Sequence, residues 1–407
     1  MKAYKTEVIL SAEQQAQYMR TVGVCRYVYN LFIEVNDARH EQKLPYMNNY
    51  AFSKWLNNEY LPNNPDKAWV KDVSTKAVRN AIDNADKAYD RFYDEGKKPG
   101  YVPYTKRQIA KSKESGKPLT YYEMAGHPKY KRKGRNDCNY YFVRTSKSQP
   151  IQVERHRIKI PLLGWVRLKE YGYVPTAQNT VTSGMVTKQA GRYYISVTTN
   201  EAQEAQANNT NAGIGVDLGL KEFAVLSNGT TYGTNRQHKL NKKLKREQRK
   251  LSRKYEMNKN EEERRATKGI ERQKTVVAKI HQRIANVRND TQNKIVNEIV
   301  RAKPSSITIE DLHVRGMMKN RHLSKAIANQ GFHAFVNKLT AKARQNGIEI
   351  RKVDRYYPSS KLCNQCGEIK TDLKLKDRTY RCGCGYTEDR DLNAAMNLRD
   401  AKTYKLA

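Results

Sequence analysis

The sequence predicts a multi-domain α+β protein, on three observations. Helical spacing dominates residues 11–97, short alternating runs dominate residues 140–198, and after residue 213 strand, hairpin, long helix, strand and helix follow one another. At 407 residues the chain is long enough for two or three domains and at least one sizeable core.

Val8-Ile9-Leu10 opens the chain as a strand. Ser11 then stands as a helix N-cap, with Gln14 three residues on, where a capping box needs it. Tyr18, Val22, Cys25, Tyr29 and Phe32 recur on one helical face and read as core. More helix is expected over residues 51–61 and 73–94. From residue 98 to residue 139 Pro, Gly, Lys and Tyr dominate, as in Tyr104-Thr105-Lys106-Arg107 and Lys129-Tyr130-Lys131-Arg132-Lys133. Rings interleaved with cations suit stacking on bases and neutralising phosphates, so the region reads as a nucleic-acid contact. Short β-like runs at residues 140–144, 151–153, 158–160, 166–168, 180–186 and 193–198 suggest a small antiparallel barrel or sandwich.

A polar linker at residues 201–211 precedes a new domain. Its second strand, residues 222–226, turns at Ser227-Asn228-Gly229 into residues 230–233, a hairpin. Residues 236–302 read as long basic helix broken near residues 258–260. Ile280, Ile284, Val287, Ile295 and Ile299 form an apolar stripe expected to pack. From Arg236 to Arg288 there are 19 Lys and Arg against 6 Glu. A solvated helix pair and a phosphate-tracking surface both remain open for that run.

Charge narrows the function. Lys and Arg number 77 against 41 Asp and Glu, for a formal net charge of +36. A chain so basic repels itself unless a polyanion neutralises it, and nucleic acid is the expected partner. The first fifteen residues hold no apolar run of signal-peptide length, and no run approaches the ~20 apolar residues that cross a bilayer. A cytoplasmic, nucleoid-associated protein without a membrane partner is therefore expected.

Four of the six cysteines crowd together, as Cys363-Asn364-Gln365-Cys366 and Cys382-Gly383-Cys384-Gly385. Paired knuckles at this separation present four thiolates to one structural zinc ion, in a reduced compartment. The second knuckle has one intervening residue rather than two; its glycines let the turn tighten. No His-Asn-His nuclease pattern accompanies the knuckles.

Three acids end predicted elements. In Gly213-Ile214-Gly215-Val216-Asp217-Leu218-Gly219, alternation puts Ile214 and Val216 on one face and Gly215 with Asp217 on the other. The flanking glycines leave room for close backbone approach. In residues 306–312, Ile307 and Ile309 form the buried face, and Thr308 and Glu310 the other. Asp391 starts a final helix. Strand with Asp, hairpin, strand with Glu and helix with Asp is the order of an RNase H-like nuclease. Hard Mg²⁺ prefers such carboxylate oxygens, and two ions can activate water and stabilise the leaving oxygen of a phosphodiester.

These segments, with Ile309-Glu310-Asp311-Leu312 and Asp389-Arg390-Asp391-Leu392-Asn393-Ala394-Ala395-Met396-Asn397, resemble the three RuvC motifs of TnpB. That family of transposon-encoded RNA-guided DNA endonucleases is related to type V CRISPR effectors. Leu323-Ser324-Lys325-Ala326-Ile327 and Tyr357-Pro358-Ser359-Ser360-Lys361-Leu362-Cys363 resemble it too. The resemblance is dense over residues 213–399 and thinner at residues 23–30 and 159–166; residues 98–139 look longer than the family pattern. It implies a wedge β-barrel (first strand in residues 1–10, remainder in 98–205) carrying an inserted helical lobe (11–97). It further implies a RuvC-like nuclease with a basic helical segment (206–355), an embedded zinc ribbon (356–386) and the nuclease's final helix (387–407). By the same resemblance Asp217, Glu310 and Asp391 are catalytic acids binding Mg²⁺, two ions in all. Cys363, Cys366, Cys382 and Cys384 bind one zinc. Guide RNA and double-stranded target DNA are the implied partners, with a short flanking motif read on the duplex. The competing readings are a nuclease-inactive guided repressor, a guide-independent transposase and a basic structural nucleoprotein; a monomer is the expected state.

Overall fold

One long helix organises the N-terminal half of the chain. The computed structural model describes residues 2–134, 137–144, 146, 150–177, 180–200, 211–234, 237–258, 267–374 and 377–406. They fall into two units, residues 1–202 and 203–407. Most of the expected linker (residues 201–210), the first residue of the expected basic helix (Arg236) and part of its expected break (residues 259–260) lie outside the described residues. Among the described residues, no helix is long and apolar enough to cross a membrane.

In the first unit, β1 (Lys2–Ile9) leads into α1 (Ala12–Glu41). The helices α2 (Asn49–Trp55), α3 (Leu61–Asn63) and α4 (Thr75–Gly96) follow, with a π-helical turn at Leu56–Tyr60 and a 3₁₀ stretch at Pro65–Asp72. Next come α5 (Lys106–Ser115), then β2 (Tyr140–Val143), β3 (Arg157–Ile160), β4 (Gly164–Leu168), β5 (Val181–Gln189) and β6 (Arg192–Thr199). The strands pair antiparallel in the order β2-β5-β6-β1-β4-β3.

The capping box forms as the sequence predicts: Ser11 Oγ accepts from the Gln14 amide, and the Gln14 side chain accepts from the Ser11 amide. The Gln14 carboxamide also donates to the Leu163 and Trp165 carbonyls, at 2.8 and 2.9 Å, which ties the helix start to the β3–β4 turn. All five residues of the predicted apolar face are buried. They serve two cores. Tyr18 and Val22 pack on the sheet, whereas Cys25, Tyr29 and Phe32 pack with Phe52, Leu56, Ile82 and Tyr89 of the helical layer.

Three expectations need correction. Residues 151–153 form no strand; Val153 makes an isolated bridge to Ile158. The six strands form a sheet of linear order, and no pairing that closes it into a barrel occurs among the described residues. The Tyr-rich stretch after residue 98 is not simply a nucleic-acid surface, because much of it packs on the helices. Tyr121 stacks on His40 with ring centres 3.8 Å apart, and Tyr101 donates to the Ala125 carbonyl at 2.7 Å. Buried His127 places Nε2 3.1 Å from Asp37 Oδ1, which also accepts from the Tyr89 hydroxyl at 2.6 Å. Tyr130, Tyr171 and Tyr173 stay exposed.

The second unit opens with β7 (Ile214–Leu218), β8 (Glu222–Leu226) and β9 (Thr231–Gly233), then α6 (His238–Met257) and α7 (Lys268–Arg301). After β10 (Ser306–Glu310) come α8 (Val314–Met317), α9 (Ser324–Gln330), α10 (Phe332–Gln345) and β11 (Glu349–Val353). A short hairpin, β12 (Thr379–Arg381) and β13 (Thr387–Asp389), leads into α11 (Arg390–Arg399) and β14 (Lys405–Leu406). The sheet order is β14-β11-β10-β7-β8-β9; β7, β10 and β11 run parallel, and β8, β9 and β14 continue it antiparallel. Gly229, at φ +85°, makes the β8–β9 turn that Ser227-Asn228-Gly229 predicts.

Ile214, Val216, Ile307 and Ile309 face a core with Ile295, Ile299, Phe332 and Phe335. Thr308, on the opposite face, is buried as well (1 %), since α11 covers that side. Parallel strands normally lie covered on both faces. The apolar stripe of α7 holds at Ile280, Ile295 and Ile299 but not throughout: Ile284 is half-buried and Val287 exposed. Near these positions Gln237 donates its side-chain amide to the Ile284 carbonyl at 3.1 Å.

Candidate carboxylate centre and cysteine cluster

Alternation along β7 puts Gly215 and Asp217 on the face that α11 covers. The helix sits so close that a Cβ on Gly215 would come within 1.9 Å of the Ala395 carbonyl oxygen and 2.5 Å of the Arg399 amide nitrogen. Only glycine fits there. The Gly215 amide donates to Ser227 Oγ at 3.1 Å, a hydroxyl that sequence reasoning did not single out.

β10 lies beside β7 in parallel register, with Thr308 opposite Gly215 and Ile309 opposite Val216. Glu310 and Asp217 each follow directly after the last of these pairs, near the carboxyl-terminal ends of their strands. Asp391 enters from the first turn of α11. The three acids are close enough to feel one another. Burial first, then the charges of Asp391 and Glu310, raise the Asp217 carboxyl to about 7, against a smaller opposing pull from Arg390. Burial and the neighbouring Asp311 raise Glu310 as well.

Asp391 is held by two guanidinium groups. Arg390 Nη2 lies 2.8 Å from one oxygen and Arg378 Nη1 3.7 Å from the other. Both arginines were missed from the sequence, where they merge with the general basicity of the chain. The carboxylate oxygens of the three acids do not share a 4.8 Å sphere. Among the described residues only the cysteine group brings its donor atoms that close.

Asp389, the nearest confusable acid, has a different task. Its side chain accepts from the amides of Asp391 and Leu392 at 2.9 and 3.1 Å, making it the N-cap of α11. Asp389→Ala is expected to cost about 1 kcal/mol of stability. Asp389→Ser, which can still cap, should recover most of it. Thermal melting of the two variants checks this; equal loss in both would show that the cap hydrogen bonds contribute nothing.

The cysteine module precedes α11 directly. Cys363 and Cys384 Sγ lie 3.8 Å apart, Cys366 and Cys382 Sγ 3.6 Å, and all four sulfurs lie within 4.8 Å of one another. Four thiolates ~2.3 Å from a tetrahedral ion have edges of about 3.8 Å, so the cluster can hold a metal ion such as zinc. Although burial opposes it, backbone amides of Cys366 and Gln365 pull the Cys363 thiol down to about 7. Gly367 and Gly385, at φ +78° and +90°, close the two knuckles, which accommodates the one-residue spacing of the second.

Two buried asparagines join this module to the helix that carries Asp391. Asn393 donates to the Leu362 carbonyl at 2.8 Å and accepts from the Asn364 amide; Asn397 donates to the Ser359 and Leu362 carbonyls at 2.8 and 2.7 Å. They were legible only as an oddity: asparagine four residues apart, buried side inward, in an alanine-rich helix that asparagine does not favour.

Family models and relatives match the chain along most of its length. A family model described as "Cas12f1-like, TNB domain" matches residues 332–398, one described as "Probable transposase" (OrfB, IS605) matches residues 194–321, and a "Helix-turn-helix domain" model of the same OrfB family matches residues 1–44. In this structure those last residues form β1 and the single helix α1. The chain is 26 % identical over 415 aligned positions to "Putative RNA-guided DNA endonuclease InsQ" of Escherichia coli (strain K12), covering 98 % of this chain and 91 % of the relative. It is 28 % identical to a "Putative RNA-guided DNA endonuclease" of Streptomyces pristinaespiralis, over 98 % of this chain and 88 % of the relative. The solved "mini-RNA-guided endonuclease CRISPR-Cas_phi3" aligns over 98 % of this chain and 92 % of its own at 10 % identity and a TM-score of 0.48, too low to carry an argument. From its first strand to its last helix the chain is similar to members of the TnpB/IS605 family.

Proposed function

We propose that this protein is an RNA-guided, divalent-metal-dependent DNA endonuclease, with Asp217, Glu310 and Asp391 as its metal-binding acids. The observation that carries the proposal is the placement of these acids at one end of a mixed sheet: Asp217 and Glu310 late on the neighbouring parallel strands β7 and β10, and Asp391 in the first turn of α11, which packs on both. The sheet order β9-β8-β7-β10-β11, with the first three strands antiparallel and the last two parallel to β7, fits an RNase H-like nuclease of the RuvC kind. The two long relatives carry the same activity in their names.

Three carboxylates, two of which (Asp217 and Glu310) sit where burial opposes their ionisation, are the hard oxygen donors magnesium favours. When bound there, Mg²⁺ supplies Lewis-acid stabilisation of the phosphodiester and a more acidic water. The chain's own part is to hold the acids: Asp217 and Glu310 by parallel strand register, and Asp391 by the cap at Asp389 and the seat of α11 on Gly215. Arg378 and Arg390 balance the charge of Asp391. The basic face of α6, where Lys239, Lys242, Lys243, Lys245, Arg246 and Arg249 border an open groove, suits a phosphate backbone. Glu247 does not blunt it, since Arg246, Lys250 and Gln273 satisfy that carboxylate.

The test is to purify the protein with its RNA, strip the RNA, and assay matched and mismatched DNA with and without a supplied guide. Cutting of matched DNA only by the reloaded complex supports the proposal. Sequence-specific cutting by RNA-free protein would defeat it in favour of a transposase. Tight guided binding with no cutting in Mg²⁺ or Mn²⁺ would favour a repressor.

The four cysteines are proposed to hold one structural zinc. Metal analysis should find one zinc per chain in the parent and none in Cys363→Ser/Cys366→Ser. Through Asn393 and Asn397 the loss should loosen α11, so cleavage falls at least tenfold while guide RNA binding persists. Equal zinc in both proteins would sink the assignment.

A further inference from the structure

The segment joining β11 to the cysteine module presents an aromatic ring that the fold does not use. Tyr356 is 86 % exposed, the highest figure among the exposed large apolar and aromatic side chains of the described residues. Burying a ring is favourable, and one left in solvent on a loose loop would be unremarked. This loop is tied on each side to an element bearing one of the proposed catalytic acids.

On the amino-terminal side, Val353 of β11 stands in register with Glu310, and the Asp311 amide donates to the Val353 carbonyl at 3.1 Å. Arg355 reaches back to Asp311, with Nη2 3.5 Å from Oδ2. On the carboxyl-terminal side, Tyr357 donates its hydroxyl to the Asn397 carbonyl of α11 at 3.1 Å, and its ring packs on Val353, Leu398 and Ala401. Between them, the Tyr356 amide donates to Asp354 Oδ1 at 2.9 Å, and the Tyr357 amide to the Asp354 carbonyl at 3.0 Å. The Tyr356 backbone is therefore pinned. Its ring starts three residues from the strand position paired with Glu310, a chain reach of at most ~11 Å.

A pinned, solvent-facing ring beside a phosphodiester-cleaving centre has one evident chemical use. Every nucleobase offers a π-face, and aromatic side chains bind unpaired bases by stacking, without regard to sequence. We infer that Tyr356 is a stacking platform for an unpaired base of the DNA strand being cut, holding that strand against the carboxylates. The inference rests on the nuclease reading above. It adds a residue that positions substrate and makes no chemical step of its own. A stacked base demands an unpaired strand at the site, so the platform favours single-stranded over duplex DNA there.

The experiment uses the guide-loaded protein carrying Glu310→Gln, which holds DNA without cutting it, and single-stranded DNA with 2-aminopurine at successive positions. Stacking quenches this base. Parent and Tyr356→Phe should quench it at one or two adjacent positions, whereas Tyr356→Ala and Tyr356→Leu should not. In the cutting-competent background, Tyr356→Ala should raise KM for single-stranded DNA about tenfold, more than it lowers kcat, and Tyr356→Phe should restore it. Melting temperature and zinc content should match the parent, since the ring is outside the core. Unchanged quenching and KM in Tyr356→Ala would overturn the inference. So would a Phe variant as impaired as Ala, or a loss of guide RNA retention in place of DNA stacking. Failure of the nuclease reading would show separately, as a parent protein that does not cut.

Discussion

Asp217→Asn is expected to abolish cleavage and, in metal-free buffer, to make the protein more stable. On the function proposed above, the substitution removes a metal ligand, which forfeits several kcal/mol of transition-state stabilisation, roughly a thousandfold or more in rate. The stability gain follows from the carboxyl's surroundings. Burial, Asp391 and Glu310 raise its pKa from an ordinary carboxylate value to about 7. The folded protein thus keeps a proton that the unfolded chain releases near pH 4. The favourable contribution is complete below that pH and is lost as pH rises toward 7. Above it, an ionised Asp217 works against the fold. Asn carries no charge, so the variant should melt higher at pH 8, by on the order of 2 kcal/mol once partial solvent access is discounted, and the gap should close by pH 4. Added Mg²⁺ or Mn²⁺ should raise the melting temperature of the parent at pH 8 and leave that of the variant nearly unmoved. Melting curves at pH 4, 6 and 8, with and without the ion, check all of this. A variant less stable than the parent at pH 8 would mean that Asp217 is not under the strain described.

Gly215→Ala should have the second largest effect, although it changes no donor and no charge. The added methyl meets the carbonyl of Ala395 and the amide of Arg399, backbone atoms with no rotamer by which to step aside. Either α11 lifts off the sheet or β7 shifts, and overpacking of that kind costs about 3 kcal/mol. Lifting α11 carries Asp391 away from Asp217, so cleavage should fall by two orders of magnitude or more, with zinc content retained because the cysteines precede the helix. Gly233→Ala in the same sheet is the control. Its Cβ would meet only the end of the Glu222 side chain, at 3.7 Å, and should be close to neutral. Wild-type melting and cleavage in Gly215→Ala would refute the close seat of the helix.

The charge, the local signals and the donor sets were determined by the sequence alone. Ser11 with Gln14 forms its capping box, Tyr18 to Phe32 are buried, Ser227-Asn228-Gly229 turns the hairpin, and four cysteines converge. Each depends on neighbours within a few residues, or on one strong chemical preference, and such information is written along the chain. Only the tertiary structure decided how the elements use one another. Tyr121 and His127 face the helical core, Asp389 caps while Asp391 faces the acids, and Asn393 and Asn397 bind the cysteine module to α11. Nothing local distinguishes a tyrosine that will meet a base from one that will meet a buried histidine, or an aspartate that caps from one two residues on. Those roles are set by which segment, distant in sequence, packs against each side chain.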